Sequence, residues 1–194
     1  DTPGMPRPTV MERQAPNQYV VNIEGKRFVN ESGPYTDFGH AVLAGQARGV
    51  DHTKFYMIMD HEAWTHNIVA SHMPGMPAPQ AWLDAGTLVI ANTIEELAKK
   101  IGVPPDTLAA THARFNAFAA KGVDEDFHRG ESAYDNFYGD HRQPNPNLRE
   151  VKTPPFYAFR MVLGDLGTKG GLVTNENAQV LDQNGRVIPG LYAA

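Results

Sequence analysis

Cysteine is absent from the 194 residues. That removes disulfides, thiolate nucleophiles and Cys-ligated metals, and it fits a reducing, cytoplasmic compartment. No run of ~18 apolar residues occurs, so no membrane-spanning helix is expected. Neither an initiator Met nor a charged-then-apolar opening is present, and no signal peptide is expected. Excess positive charge is missing too: a net charge of -5 argues against nucleic acid or an anionic membrane as partner. What remains is the make-up of a soluble globular chain, 41% apolar and 20% charged, long enough for one well-packed domain or one domain plus part of another.

Glycine and proline gather in three connecting stretches, at residues 3–8, 74–79 and 144–155. Between them the pattern gives an element order. "QYVVNIEGKRFVN" reads as a hairpin turning at Glu24-Gly25. Pro34 can open a helix whose Tyr35, Phe38, Val42 and Gln46 share a face and which Gly49 ends. "KFYMIMD" (54–60) and "TLVIAN" (87–92) read as strands. Thr93 with Glu96 makes a capping box for a helix stopped by Gly102. Pro104 opens the next helix, with Leu108, His112, Phe115 and Ala119 at helical spacing and Gly122 at its end. Residues 123–155 read as loop, 156–163 as strand, and the remainder as short strands with a hairpin signal at Asn184-Gly185. The sum is an α+β domain followed by a β tail. Its apolar ending, "GLYAA", reads as the interior of a longer chain.

Few residues stand out as chemical groups. "HEAWTH" (61–66) resembles a zinc-protease helix, but its histidines are five apart, ~140° around a helix, so aligned ligands and a metal are not expected. "GDLGTKGG" (164–171) has a phosphate loop's glycines and lysine in the wrong order. From spacing alone it reads as a tight loop whose backbone could approach something flat. The Asn30-Glu31-Ser32 sequon reads as chance. Tyr35 follows Ser-Gly-Pro at a helix start, which would give a phenol a stiff mount near a positive helix end. A phenol ionises near pH 10, a deficit of roughly 4 kcal/mol as a base at pH 7, so it needs a neighbour that relays its proton. On composition and spacing alone a half-buried packing tyrosine is the favoured reading of Tyr35.

Four segments in order change that reading: "GKRFVNESGPY" (25–35), "GVDEDFHRGESAYDNFYGD" (122–140), "PPFYAFRMVLGDLGTKGGL" (154–172) and "AQVLDQNGRVIPGLYAA" (178–194). The first and last resemble flavoproteins of the fumarate reductase and succinate dehydrogenase superfamily. The combination of "NESGPY", "DFHRGESAYD" and "GDLGTKGG" is similar to the 3-ketosteroid 1-dehydrogenases within it, and the likeness spans nearly the whole chain. The resemblance implies a substrate (catalytic) domain inserted into an FAD-binding domain. Residues 1–164 would be that insert, and 165–194 a β hairpin starting the return to the FAD domain.

The resemblance also implies chemistry. A base removes a proton from the carbon beside a steroid ketone, a hydride passes from the adjacent carbon to FAD, and donors steady the charge that develops on the ketone oxygen. Tyr35 carries over as the base. Gly170, Gly171, Leu191, Tyr192, Ala193 and Ala194 carry over to the flavin side. The family's Gly-x-Gly-x-x-Gly fingerprint, relay tyrosine and later tyrosine-glycine segment are absent from these residues. This polypeptide by itself is therefore expected neither to hold FAD tightly nor to turn over. Two other functions fit the residues less closely. One is the same superfamily acting on another cyclic ketone or an unsaturated acid. The other is a non-catalytic module whose Met-rich "SHMPGMPAP" covers a flat apolar ligand.

Overall fold

The computed structural model describes residues 7–164, 167 and 170–193. The chain divides into two compact units, Asp1–Leu163 and Gly164–Ala194. The first is built on a four-stranded antiparallel sheet of β1 (Gln18–Val21), β2 (Phe55–Met59), β3 (Leu88–Ala91) and β4 (Phe156–Met161), in the order β1-β2-β4-β3. The uninterrupted apolar runs of β2 and β4 follow from their central place: helices cover both faces, so every residue but Arg160 is buried.

Side-chain alternation sorts the sheet into two cores. Tyr19, Val21, Tyr56, Ile58, Phe156 and Ala158 face α4 (Ile94–Ile101) and α5 (Pro105–Lys121), meeting Leu97, Ile101, Leu108 and Phe115. Val20, Phe55, Met57, Met59, Tyr157 and Phe159 face the other way. Their layer includes Phe38 and Val42 of α1 (Tyr35–Ala47) and Ala63 and Trp64 of α2 (His61–His66). Two short helices, α3 (Gln80–Asp84) and α6 (Ala133–Asn136), complete the unit. Among the described residues no helix is long and apolar enough to cross a membrane.

Both capped helices form where the sequence places them. The Thr93 hydroxyl accepts from the Glu96 amide at 3.1 Å, and the Glu96 carboxylate reaches back to the Asn92 amide at 3.0 Å. Gly102 and Gly122 close α4 and α5 in the left-handed conformation. In the stretch expected to be loop, α6 makes one turn, with the Ser132 hydroxyl accepting from the Asp135 amide at 3.0 Å.

The expected hairpin at Glu24-Gly25 does not form: β1 pairs with β2, and residues 26–30 carry no strand. The Asn22 side chain explains this. Its Oδ1 accepts from the Glu24 and Lys26 amides while its own amide donates to the Lys26 carbonyl, closing a tight turn at Gly25.

Helix α1 also differs from the expected face. Phe38, Val42 and Gly45 are buried, whereas Tyr35 and Gln46 are exposed. Gly45 holds the clue, because a Cβ there would lie 2.1 Å from His52 Cε1. That imidazole is itself buried, its ring tilted against Phe28 at 4.7 Å and hydrogen-bonded to the Val42 carbonyl at 3.0 Å. Gly45→Ala is therefore expected to destabilise the chain by about 2 kcal/mol, despite alanine's better helix propensity. Chemical denaturation would show this as a lower midpoint with an unchanged slope.

The second unit pairs β5 (Gln179–Leu181) with antiparallel β6 (Val187–Tyr192) across a turn in which Gly185 takes φ +77°. The Leu181 amide also donates to the Val173 carbonyl at 2.8 Å, and Thr174 bridges Val180. β5 therefore runs between residues 173–174 and β6.

Candidate active site

The segment before Tyr35 is fixed from inside the protein. Asn30 Oδ1 accepts from the Ser32 amide at 2.9 Å, the Gly33 amide donates to the Asn30 carbonyl at 3.2 Å, and the Pro34 carbonyl takes the first helical bond, from Phe38. Glu31 and Ser32 are 1% and 0% exposed. The Glu31 carbonyl accepts from Arg13 Nη1 at 2.7 Å and the Ser32 carbonyl from Gln14 Nε2 at 3.0 Å. Tyr35 then opens α1 with 40% of its surface exposed, at the positive end of the helix dipole.

Under this loop lies a buried ionic cluster. Arg27 grips Glu31 with two bonds of 2.8 Å and Asp124 with bonds of 3.1 and 2.7 Å. Arg129, fully buried, adds a 3.2 Å bond to Glu31. Two guanidinium groups and two carboxylates make the cluster neutral, as burial requires. Burial alone would raise the Glu31 carboxyl. The charges of Arg27 and Arg129, with hydrogen bonds from Arg27 and the Val20 amide, outweigh it and bring the pKa down to about 2. Arg27 is likewise disfavoured by burial, yet its two carboxylate partners hold it above the ordinary arginine value.

An apolar strip runs beside the phenol. Gly39 and Leu43 follow Tyr35 at four and eight residues, on one flank of α1. Leu163 Cδ1 would lie 3.7 Å from a Cβ on Gly39. Leu43, Val162 and Leu163 are 51%, 46% and 41% exposed. An open cleft of about 390 Å³ lies at the helix start, with Asn30, Pro34, Asp37, Phe127 and Glu131 on its walls and no Lys or Arg. A second cleft, about 360 Å³, contains Lys26, Arg27 and Arg114. Of these, Arg27 is committed to Glu31 and Asp124, and Arg114 to Asp126 at 2.7 and 2.6 Å.

The flavin-side residues fall in the other unit. A Cβ on Gly170 or Gly171 would meet nothing within 4 Å, and Gly170 takes φ +120°. Leu191 and Tyr192 are exposed, and the Ala193 amide donates to the Ala178 carbonyl at 3.0 Å. The strand β5 lies between 173–174 and β6, so the glycine pair leads into one edge of the meander and Leu191-Tyr192 sit on the other. Ala194 lies outside the described residues.

The two histidines of "HEAWTH" face separate partners: His61 Nδ1 meets the Tyr157 hydroxyl at 3.0 Å, and His66 Nδ1 the Glu62 carbonyl at 2.9 Å. Among the described residues no three His, Asp or Glu converge as a metal site would require. In the sequon, Asn30 Nδ2 donates to Asp135 at 2.8 Å, which ties α6 to the Tyr35 loop. The methionine loop leaves Met73 and Met76 exposed, while His72 stacks on Trp64 at 5.0 Å.

Residues 2–194 match the family described as FAD binding domain. The chain is 48% identical, over 98% of its own length and 35% of the relative's, to a 3-oxosteroid 1-dehydrogenase of Mycobacterium tuberculosis (strain ATCC 25618 / H37Rv). It thus spans about a third of the curated relatives it matches. The crystal structure of 3-ketosteroid delta1-dehydrogenase from Sterolibacterium denitrificans, in complex with 1,4-androstadiene-3,17-dione, matches with a TM-score of 0.92 at 38% identity, covering 99% of this chain and 35% of that one. The open conformation of a flavocytochrome c3 fumarate reductase shares the fold alone, with a TM-score of 0.54 at 23% identity over 95% of this chain and 27% of that one. With residues 2–194 matched, the chain belongs to the family described as FAD binding domain.

Proposed function

We propose that this chain is the substrate-binding part of a longer FAD-dependent dehydrogenase, which introduces a carbon-carbon double bond next to the ketone of a 3-ketosteroid. Residues 1–164 are the inserted substrate domain, and 165–194 begin the return to the enzyme's own FAD-binding domain. The observation that carries this reading is Tyr35 itself: a phenol with 40% of its surface exposed, on a loop whose preceding residues are buried and ion-paired. The apolar strip of Gly39, Leu43 and Leu163 beside it suits a flat hydrocarbon skeleton better than a charged one.

Tyr35 takes the proton from the carbon next to the ketone, where enolisation makes the C–H bond acidic. The bare backbone at Gly170 and Gly171 and the exposed Leu191 and Tyr192 leave room for a flat ring system, and the family resemblance assigns Ala193 and Ala194 to the flavin as well. No glycine fingerprint in these residues cradles a pyrophosphate, so this chain contributes contacts to the ring end only. When bound, FAD supplies the acceptor for the hydride that leaves the adjacent carbon.

Reduction of a small dicarboxylate fits less well. Two carboxylates call for free, preferably bidentate cations. Arg27 is 4% exposed at its side chain and already holds two carboxylates, and the cleft beside Tyr35 has acidic walls. Anaerobic mixing of the FAD-loaded full-length protein with a saturated-ring 3-ketosteroid is expected to bleach the flavin and yield a ketone conjugated to a new double bond. Flavin turnover with dicarboxylates, and none with the steroid, would overturn the assignment.

A further inference from the structure

We infer that Arg129 is a positioning residue for Tyr35, an inference that rests on the reading of Tyr35 as the base. Arg129 is 0% exposed and touches no surface a substrate could reach. Each of its five N–H donors has an acceptor: Nε donates to the Ser32 hydroxyl at 3.0 Å, Nη1 to the Gln18 carbonyl at 2.8 Å and Glu31 Oε2 at 3.2 Å, and Nη2 to the Arg13 and Ala15 carbonyls at 3.3 and 2.8 Å. One planar guanidinium thereby ties the start of β1, the segment before it and the two residues that lie three and four positions ahead of Tyr35. Lysine cannot reproduce that fork.

The choice of a charge here is informative. A buried ion pair is often no more stabilising than an apolar cluster of the same volume. What the guanidinium adds is direction: three of its bonds anchor it to the Arg13, Ala15 and Gln18 carbonyls, the other two hold Ser32 and Glu31 against that anchor, and Pro34 transmits the placement into the first turn of α1. The Arg129 side chain contributes nothing at the reacting carbon. It sets where the phenol stands, and proton transfer over a hydrogen bond's length depends steeply on that placement.

The test uses Ser32→Ala and Arg129→Lys in the FAD-loaded full-length protein, with Tyr35→Phe alongside. Ser32→Ala removes one bond and leaves every ion pair, so it decides the matter even where Arg129→Lys fails to fold. For Ser32→Ala, kcat is expected to fall about 10- to 100-fold with KM and flavin content unchanged. The primary deuterium effect at the carbon beside the ketone should rise, while that at the hydride carbon should not. A kcat within about twofold of the parent and an unaltered isotope effect, whatever the melting temperature does, overturn the role of Arg129. The outcomes separate the two ideas. Loss of activity in Tyr35→Phe with a normal Ser32→Ala sinks this inference alone, whereas a fully active Tyr35→Phe removes the base and this inference with it.

Discussion

Tyr35→Phe in the full-length flavoprotein is expected to lower turnover by about a thousandfold while steroid and FAD binding stay nearly intact. The substitution removes one oxygen and keeps the ring, so packing at the start of α1 is preserved. What is lost is the group that accepts the proton. Tyr35 is 40% exposed and the substitution leaves no core cavity, so the melting temperature should move by only a few degrees. Steady-state kinetics with a 3-ketosteroid, together with flavin content and steroid binding by titration, would check all three expectations. Retained turnover would mean that another group serves as base.

Loss of Glu31 should do the opposite, damaging the fold first. Glu31→Gln keeps the shape but removes the carboxylate between Arg27 and Arg129, leaving excess positive charge in a dry site. A cost of about 3–5 kcal/mol is expected in denaturant unfolding of the chain. The same residue predicts an acid profile. Folded Glu31 holds its proton only near pH 2, against 4.5 for the ordinary side chain. Between those values the unfolded state binds the extra proton, so stability is intact above about pH 4.5 and is lost as pH falls towards 2. At about 1.4 kcal/mol per pH unit, the loss approaches 3 kcal/mol. In Glu31→Gln this contribution should vanish and the acid slope flatten. An acid limb equally steep in parent and variant would contradict the assignment.

How much of this could be read from the sequence depended on distance along the chain. Helices α4 and α5 were legible because their signals are local: Thr93 with Glu96, then Gly102 and Gly122, all within one or two turns of what they control. Pro34 marked the start of α1, and with it Tyr35, for the same reason. The run before it misled, since Val-Val and Phe-Val look like paired strands while one amide side chain, Asn22, closes the turn. The ionic cluster was invisible for a different reason. Arg129 meets Glu31 and Ser32 across 98 and 97 residues of separation, and a charged residue in a polar, proline-dotted stretch ordinarily signals solvent. Arg27 and Glu31 at four-residue spacing were the one faint hint, and without a helix there the hint has no standing. Nothing local to Gly45 signals its role; the His52 ring beneath it explains the choice.

The ladder between β2 and β4 joins Phe55 to Met161, about a hundred residues further on. During synthesis β2 therefore emerges long before the strand that completes its inner side, and closing so large a loop costs entropy before any pairing rewards it. Pairing this distant in sequence slows folding, and refolding is expected nearer the millisecond-to-second range than the microseconds of helical bundles. While it waits, "FYMIM" is an apolar ribbon with an unclaimed rim, and a nascent chain in that state is a natural client for a chaperone.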